Sequence, residues 1–171
     1  ATRVNADGNI EKETQNLLTY SGDLTNADWS KINSATYNGT QTDPNGGNKA
    51  YSFTGGSTNS AAFQTNSLSG GVYTFSVYLK SPTSVSINIR LDSNNGTFEN
   101  YPCALTTAWQ RFEFYYVHNS STLSAWIGGG LSWTTGEEVH IAFPQLEQGL
   151  VARDYIETTT AAVEGGITDN V

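Results

Sequence analysis

The sequence predicts an all-β protein, a two-sheet antiparallel jelly-roll β-sandwich, and three observations carry that prediction. Apolar residues recur at every second position through most of the chain. No stretch shows a convincing 3.6-residue period. About nine or ten short strand-like runs are separated by turns rich in Gly, Asn, Asp, Ser and Pro, the spacing expected of a sandwich.

Taken in order, residues 1–15 mix charged and small residues around Asp7-Gly8 and predict an arm or linker. A jelly-roll domain is expected over 16–158 and a C-terminal tail over 159–171. Leu17 to Tyr20 reads as a short apolar strand, followed by a polar loop to Trp29 and a weak strand from Ile32 to Tyr37. Asn38 to Asn48 is nearly pure loop chemistry. Two further strands follow around Tyr51 to Thr54 and Ala61 to Thr65.

The centre of the chain is Gly70 to Leu91, which reads as two strands of a hairpin joined at Ser81-Pro82-Thr83. Tyr73, Phe75, Val77 and Leu79 point one way, as do Val85, Ile87, Ile89 and Leu91. The opposite face carries Thr74, Ser76, Tyr78, Ser86, Asn88 and Arg90. Thr97 to Tyr101 is expected to be an edge strand closed by Pro102. Trp109 to Val117 is a strong strand with Phe112, Phe114 and Tyr116 inward and Arg111, Glu113 and Tyr115 outward. Leu123, Ala125 and Ile127 continue the inward set, leaving Ser124 and Trp126 outside; Gly128-Gly129-Gly130 breaks that strand. Val139, Ile141 and Phe143 form the last inward row, with His140 opposite.

With 171 residues the chain is long enough for one domain with its own core. Only 14% of residues are charged, so Asn, Ser, Thr and Gly must cover the surface, and 12% aromatics with 17 glycines favour strands and turns. A net charge of -8 argues against nucleic-acid backbones and anionic membranes as partners, because both need a Lys/Arg patch. One cysteine, Cys103, allows no intrachain disulfide. No long apolar run and no basic-then-apolar leader is present, so neither membrane insertion nor a signal peptide is expected.

The residues of an enzyme are largely missing. His118 and His140 sit in no metal-ligand array, Cys103 has no recognisable partner motif, and the glycine clusters lack the Lys-Ser/Thr of a phosphate loop. No catalytic residue is predicted. If sheet pairing brings the strands together, Tyr78, Asn88, Arg90, Arg111, Glu113, Tyr115, Trp126 and His140 form one polar face with three aromatics. Sugars suit such a surface, because their C–H faces pack on aromatic rings while amide, carboxylate and guanidinium groups take the hydroxyls. The opposing reading is that outward aromatics merely pack under loops and the Arg and Glu form surface ion pairs.

Five segments in this order, ATRVNADGNIE, NLLTYSGDLTNADWSK, GGVYTFSVYLKS, TTAWQRFEF and FPQLEQGLVARDYIETTTAAV, resemble a jelly-roll module of tailed-phage and prophage virion proteins, found near the C-terminal ends of fibres and related appendages. That module is similar in turn to the carbohydrate-binding jelly rolls attached to bacterial glycoside hydrolases. Trp29, Leu79 and Trp109 match its structural positions, and Gln145-Leu146-Glu147 with Tyr155-Ile156 match its closing strand and tail. The resemblance implies a virion component that binds a bacterial surface glycan, is held with other virion chains in a homo-oligomer such as a trimer, and is made in the host cytoplasm without a signal peptide. The alternative is a structural decoration or spacer domain with no ligand of its own. Carbohydrate-binding relatives often hold a structural calcium; the nearest candidates for it here are Asp23 and Glu147.

Overall fold

The computed structural model describes residues 2–4, 7–8, 10–12, 15–33 and 35–164. The strands are β1 (Thr2–Val4), β2 (Ile10–Lys12), β3 (Ser30–Ile32), β4 (Thr36–Gln41), β5 (Ala50–Thr54), β6 (Ala61–Ser67), β7 (Gly71–Lys80), β8 (Val85–Asp92), β9 (Phe98–Leu105), β10 (Gln110–His118), β11 (Thr122–Gly128) and β12 (Glu138–Gln148). β1 and β2 pair with each other; the other ten strands form two antiparallel sheets of five. One has the order β10-β7-β12-β5-β4 and the other β3-β6-β11-β8-β9. No helix occurs among the described residues, and the jelly-roll sandwich is the architecture that period-two patterning demands.

The core lies between the sheets and is built from the predicted inward rows. Tyr73, Phe75, Val77 and Leu79 of β7 face Ile87, Ile89 and Leu91 of β8, with Phe114, Tyr116, Leu123, Ala125, Ile127, Val139, Ile141 and Leu146 joining the same cluster. Trp29 and Trp133 are fully buried in loops that plug the sandwich, and each indole N–H donates to a backbone carbonyl, Tyr20 O at 2.9 Å and Glu137 O at 2.8 Å.

Five expectations are corrected. The Gly70–Leu91 stretch is not a hairpin: β7 and β8 belong to opposite sheets, and the short turn at 81–84 carries the chain across the sandwich. Two faces that look alike in sequence therefore point to opposite sides of the molecule. Leu17 to Tyr20 is not a strand, because its backbone N–H groups go to no single ladder: Leu17 N donates to Leu146 O, Leu18 N to Asn16 Oδ1, Thr19 N to Gln64 Oε1 and Tyr20 N to Thr159 O. The polar segment Thr36–Gln41 is a strand, since an edge strand needs backbone pairing more than apolar side chains; it pairs with β5 through a bulge between Tyr37 and Gly39. β9 runs past Pro102 to Leu105, tolerated because β9 is an edge strand.

The fifth correction concerns Phe143. A register shift between Ala142 and Gln145 moves it to the outer face, with φ +56°, where it packs with Ala50, Ala142, Tyr78, Trp109 and Tyr155. The ring is sandwiched by contact with Tyr155 at 4.5 Å and an edge-on Tyr78 at 5.8 Å. This small outer core anchors the segment after β12, which lies across the β7 sheet. Gln145 Nε2 donates to the carbonyls of Arg153 and Asp154, both at 3.1 Å, while Ile156 N donates to Gln145 Oε1 at 2.8 Å. Thr74 and Ser76, expected on a solvated face, are buried beneath it. The segment then returns to the start of the domain, where Asn16 and Val163 exchange backbone hydrogen bonds at 2.8 and 2.9 Å. Residues 165–171 of the expected tail lie outside the described residues.

Candidate functional site

The crossing between β7 and β8 decides where the candidate residues stand. Tyr78, Arg111, Glu113, Tyr115 and His140 are on the outer face of the β7 sheet; Asn88, Arg90 and Trp126 are on the outer face of the β8 sheet, on the other side of the core. A single face made of all eight does not exist.

On the β7 sheet the residues are partly used for packing. Arg111 is paired across the strands with Tyr78, its guanidinium carbon 5.7 Å from that ring, and Nη2 donates to Arg153 O at 2.6 Å and Ser76 Oγ at 3.1 Å. A cleft of about 260 Å³ remains beside them, lined by Asn45, Tyr78, Arg111, Phe143, Asp154 and Tyr155. Glu113 accepts from Ala152 N at 3.1 Å, and Tyr115 projects into solvent at 57% exposure. His140 lies between Ser52 and Lys80 in the sheet register. Burial pulls its imidazole below the usual range, partly offset by the Glu138 carboxylate 3.7 Å away.

On the outer face of the β8 sheet Phe63, Asn88, Arg90, Asn100 and Trp126 are half-buried, and the Arg90 side chain is only 15% exposed. Strand register puts Phe63, Trp126, Arg90 and Asn100 in one row across β6, β11, β8 and β9. Phe63 and Trp126 stack with centroids 4.2 Å apart and planes 10° from parallel. The Arg90 guanidinium bridges the row, 5.6 Å from the Trp126 ring and 4.1 Å from that of Phe98. It is held flat by Nε donating to Asn100 Oδ1 at 2.7 Å and by Asp92 at 3.6 Å. Four strands at about 4.8 Å spacing make this strip about 14 Å long.

One side of the strip is closed by the turn Gly128-Gly129-Gly130, with φ values of +94°, +83° and +63°. A Cβ on Gly129 would stand 3.3 Å from the Trp126 ring, and one on Gly130 would stand 2.8 Å from Asn88 Nδ2 and 3.0 Å from Asn100 Nδ2. Glycine is needed there both for the left-handed backbone and for the close approach. Phe63, Phe98, Asn100 and this turn are the parts of the arrangement that sequence reasoning did not assemble.

His118 serves structure: it is buried, its Nε2 donates to Leu68 O at 2.9 Å, and its Nδ1 is hydrogen-bonded to Ser93 Oγ at 2.8 Å. Burial pushes the Cys103 thiol up to about 12, which leaves it without nucleophilic thiolate. Asp23 and Glu147 do not fit a calcium site. Glu147 is fully buried and accepts from Gln145 Nε2 at 2.9 Å and Arg153 N at 3.0 Å, while Asp23 Oδ1 accepts from Thr25 N and Oγ1. Calcium takes about 6–8 oxygens, and among the described residues no three His, Cys, Asp or Glu side chains converge. Chelation with EDTA is expected to leave the melting temperature unchanged; a fall of several degrees would show that the protein holds a metal.

Chemically, the β8 face offers a flat aromatic strip flanked by amides, a guanidinium and hydroxyls. Such a surface stacks on the apolar face of a ring-shaped polyol and hydrogen-bonds its rim.

No protein-family model matches the chain, and no curated protein matches it in sequence. Solved structures do match its fold. A family 61 carbohydrate-binding module, determined in complex with β-1,4-galactotriose, is 16% identical with a TM-score of 0.58, over 80% of this chain and 100% of that one. The CBM22-1 xylan-binding domain of Paenibacillus barcinonensis Xyn10C is 15% identical with a TM-score of 0.55, over 84% of this chain and 99% of that one. The enzymatically active domain of tailspike protein 4 from bacteriophage CBA120 is 14% identical with a TM-score of 0.55, over 80% of this chain but only 21% of that one.

Proposed function

We propose that the chain is a non-catalytic glycan-binding module and that the ligand lies on the outer face of the β8 sheet. The observation that carries this reading is the row of Phe63, Trp126 and Arg90 with the exposed Phe98 ring beside it, a partly exposed aromatic strip on a sheet whose partner sheet is crossed by the C-terminal segment. The fold likeness to sugar-binding jelly rolls supports it. The Arg90 side chain, 15% exposed, is already oriented by Asn100 and Asp92, which lowers the entropy lost when its accessible part meets a ligand.

Within that reading, the module serves a tailed-phage fibre or other virion appendage and attaches it to a bacterial surface glycan. The sequence resemblance and the fold likeness to a tailspike domain favour this setting. A homo-oligomer with other virion chains, displayed on the particle surface, belongs to the same proposal.

The test is Trp126→Ala, scored for binding on a glycan array and by calorimetry and for stability by thermal melting. Binding is expected to weaken by about 1–3 kcal/mol, the loss of an interface hot spot. Stability should fall by about 0.5–1.5 kcal/mol for the stacked pair plus the contribution of the buried part of the ring, and still by less than the roughly 3–5 kcal/mol of a fully buried aromatic. Unchanged binding by the folded variant would move the site off this face. Silence of the native protein across bacterial polysaccharides would favour a spacer without a ligand.

A further inference from the structure

β9 and β10 are edge strands of opposite sheets, and they come together along one side of the sandwich. Between them runs a groove of about 370 Å³, lined by Glu99 and Tyr101 of β9 and by Glu113, Phe114 and Tyr115 of β10. Its composition follows from strand parity. Tyr101 has the same parity as the buried Cys103, but at the margin of the sandwich it meets only the end of the core. Its ring therefore lies on Phe114, centroids 5.4 Å apart and planes at 10°, and stays 39% exposed. Tyr115, next along β10, is 57% exposed.

The groove thus presents two accessible phenol rings and two exposed carboxylates, and no cationic residue lines it. Glu113 is fixed at the rim by the hydrogen bond from Ala152 N at 3.1 Å. Carboxylates beside aromatic faces select a ligand that is both flat and positively charged, since the ring quadrupole and the formal charges attract the same cation. The volume lies in the range of small-ligand sites, more than an extended amine chain would fill.

We infer that this groove is a second glycan site, specific for an amino sugar with a free, protonated amine. The sugar's C–H face packs on Tyr115 and Tyr101 while the ammonium group is held by Glu99 and Glu113. N-acetylation removes the charge and sets an amide against the carboxylates, so it discriminates strongly. The inference does not depend on the β8 face, which carries a different set of residues.

The experiment is calorimetric titration of the full chain with an oligomer of β-1,4-linked glucosamine, with its N-acetylated counterpart and with oligolysine. The glucosamine oligomer is expected to bind, the acetylated one to bind at least about tenfold more weakly, and Glu99→Gln and Tyr115→Ala each to cost about tenfold in affinity. Both groove variants alter exposed side chains, and thermal melting confirms that they fold. Equal binding of the acetylated oligomer overturns the inference, as does glucosamine binding that neither Glu99→Gln nor Tyr115→Ala weakens. Oligolysine binding of similar strength that ignores Tyr115→Ala overturns it too, since that outcome marks general attraction to an acidic chain.

Discussion

Asn16→Ala is expected to lower the unfolding free energy by about 3–5 kcal/mol, as read by urea denaturation. The Asn16 amide is fully buried and makes four hydrogen bonds that join three parts of the chain. Nδ2 donates to Pro144 O at 3.2 Å and Ile156 O at 2.9 Å, and Oδ1 accepts from Leu18 N and Leu146 N, both at 3.2 Å. Truncation strands two donors and two acceptors in a dry site, each costing about 1–3 kcal/mol less whatever relaxation recovers. Asn16→Asp should not rescue stability: it keeps the acceptor but sets a carboxylate against two carbonyls. A loss below about 1 kcal/mol in the alanine variant would show that this amide does not hold the closure, because that is the worth of one ordinary hydrogen bond.

Phe75→Ala should be similarly damaging, at about 3–5 kcal/mol for a large-to-small change in a core that cannot collapse around the gap. Phe75 is fully buried on β7, the strand between β10 and β12, and its cross-strand neighbours are Phe114 and Leu146. Tyr115→Ala, one pleat away but outward, is expected to stay within about 0.5 kcal/mol of the native protein. Comparable losses at the two positions would mean that the strand faces are assigned the wrong way round.

Much of the fold was legible because its central strands alternate so cleanly. Where side chains on β7, β10 and β11 alternate, the inward residues proved to be the core. Pattern failed where backbone geometry took over. The bulge after Ala142 reversed Phe143 without leaving a mark other than Pro144, and β4 is held by ladder hydrogen bonds that its polar side chains do not advertise. Asn16 is one of many asparagines in the chain, and only the tertiary partners distinguish it. The candidate face was half legible. Alternation placed Trp126, Arg90 and Asn88 outward correctly, but strand order set which sheet each belonged to. A turn as short as 81–84 gives no sign of whether it closes a hairpin or crosses between sheets. Phe63 and Phe98 joined the strip only once that order was known.

The bridge between Asn16 and Val163 places the two ends of the sandwich side by side. A module whose ends are adjacent can be set into a surface loop of a carrier without stretching it, in the way domain insertion is generally tolerated. It also has a mechanical consequence. Tension applied across the two ends would load the Gln15–Glu164 contact and then the Asn16–Val163 pair, peeling them open one hydrogen bond at a time while the sheets beyond remain in register. The same pull would next meet the hydrogen bonds of Thr159 with Tyr20 and of Thr158 with Leu18 and Ser21, and only then the bond from the Asn16 amide to Ile156, so these contacts share the load before the C-terminal segment lifts off the β7 sheet.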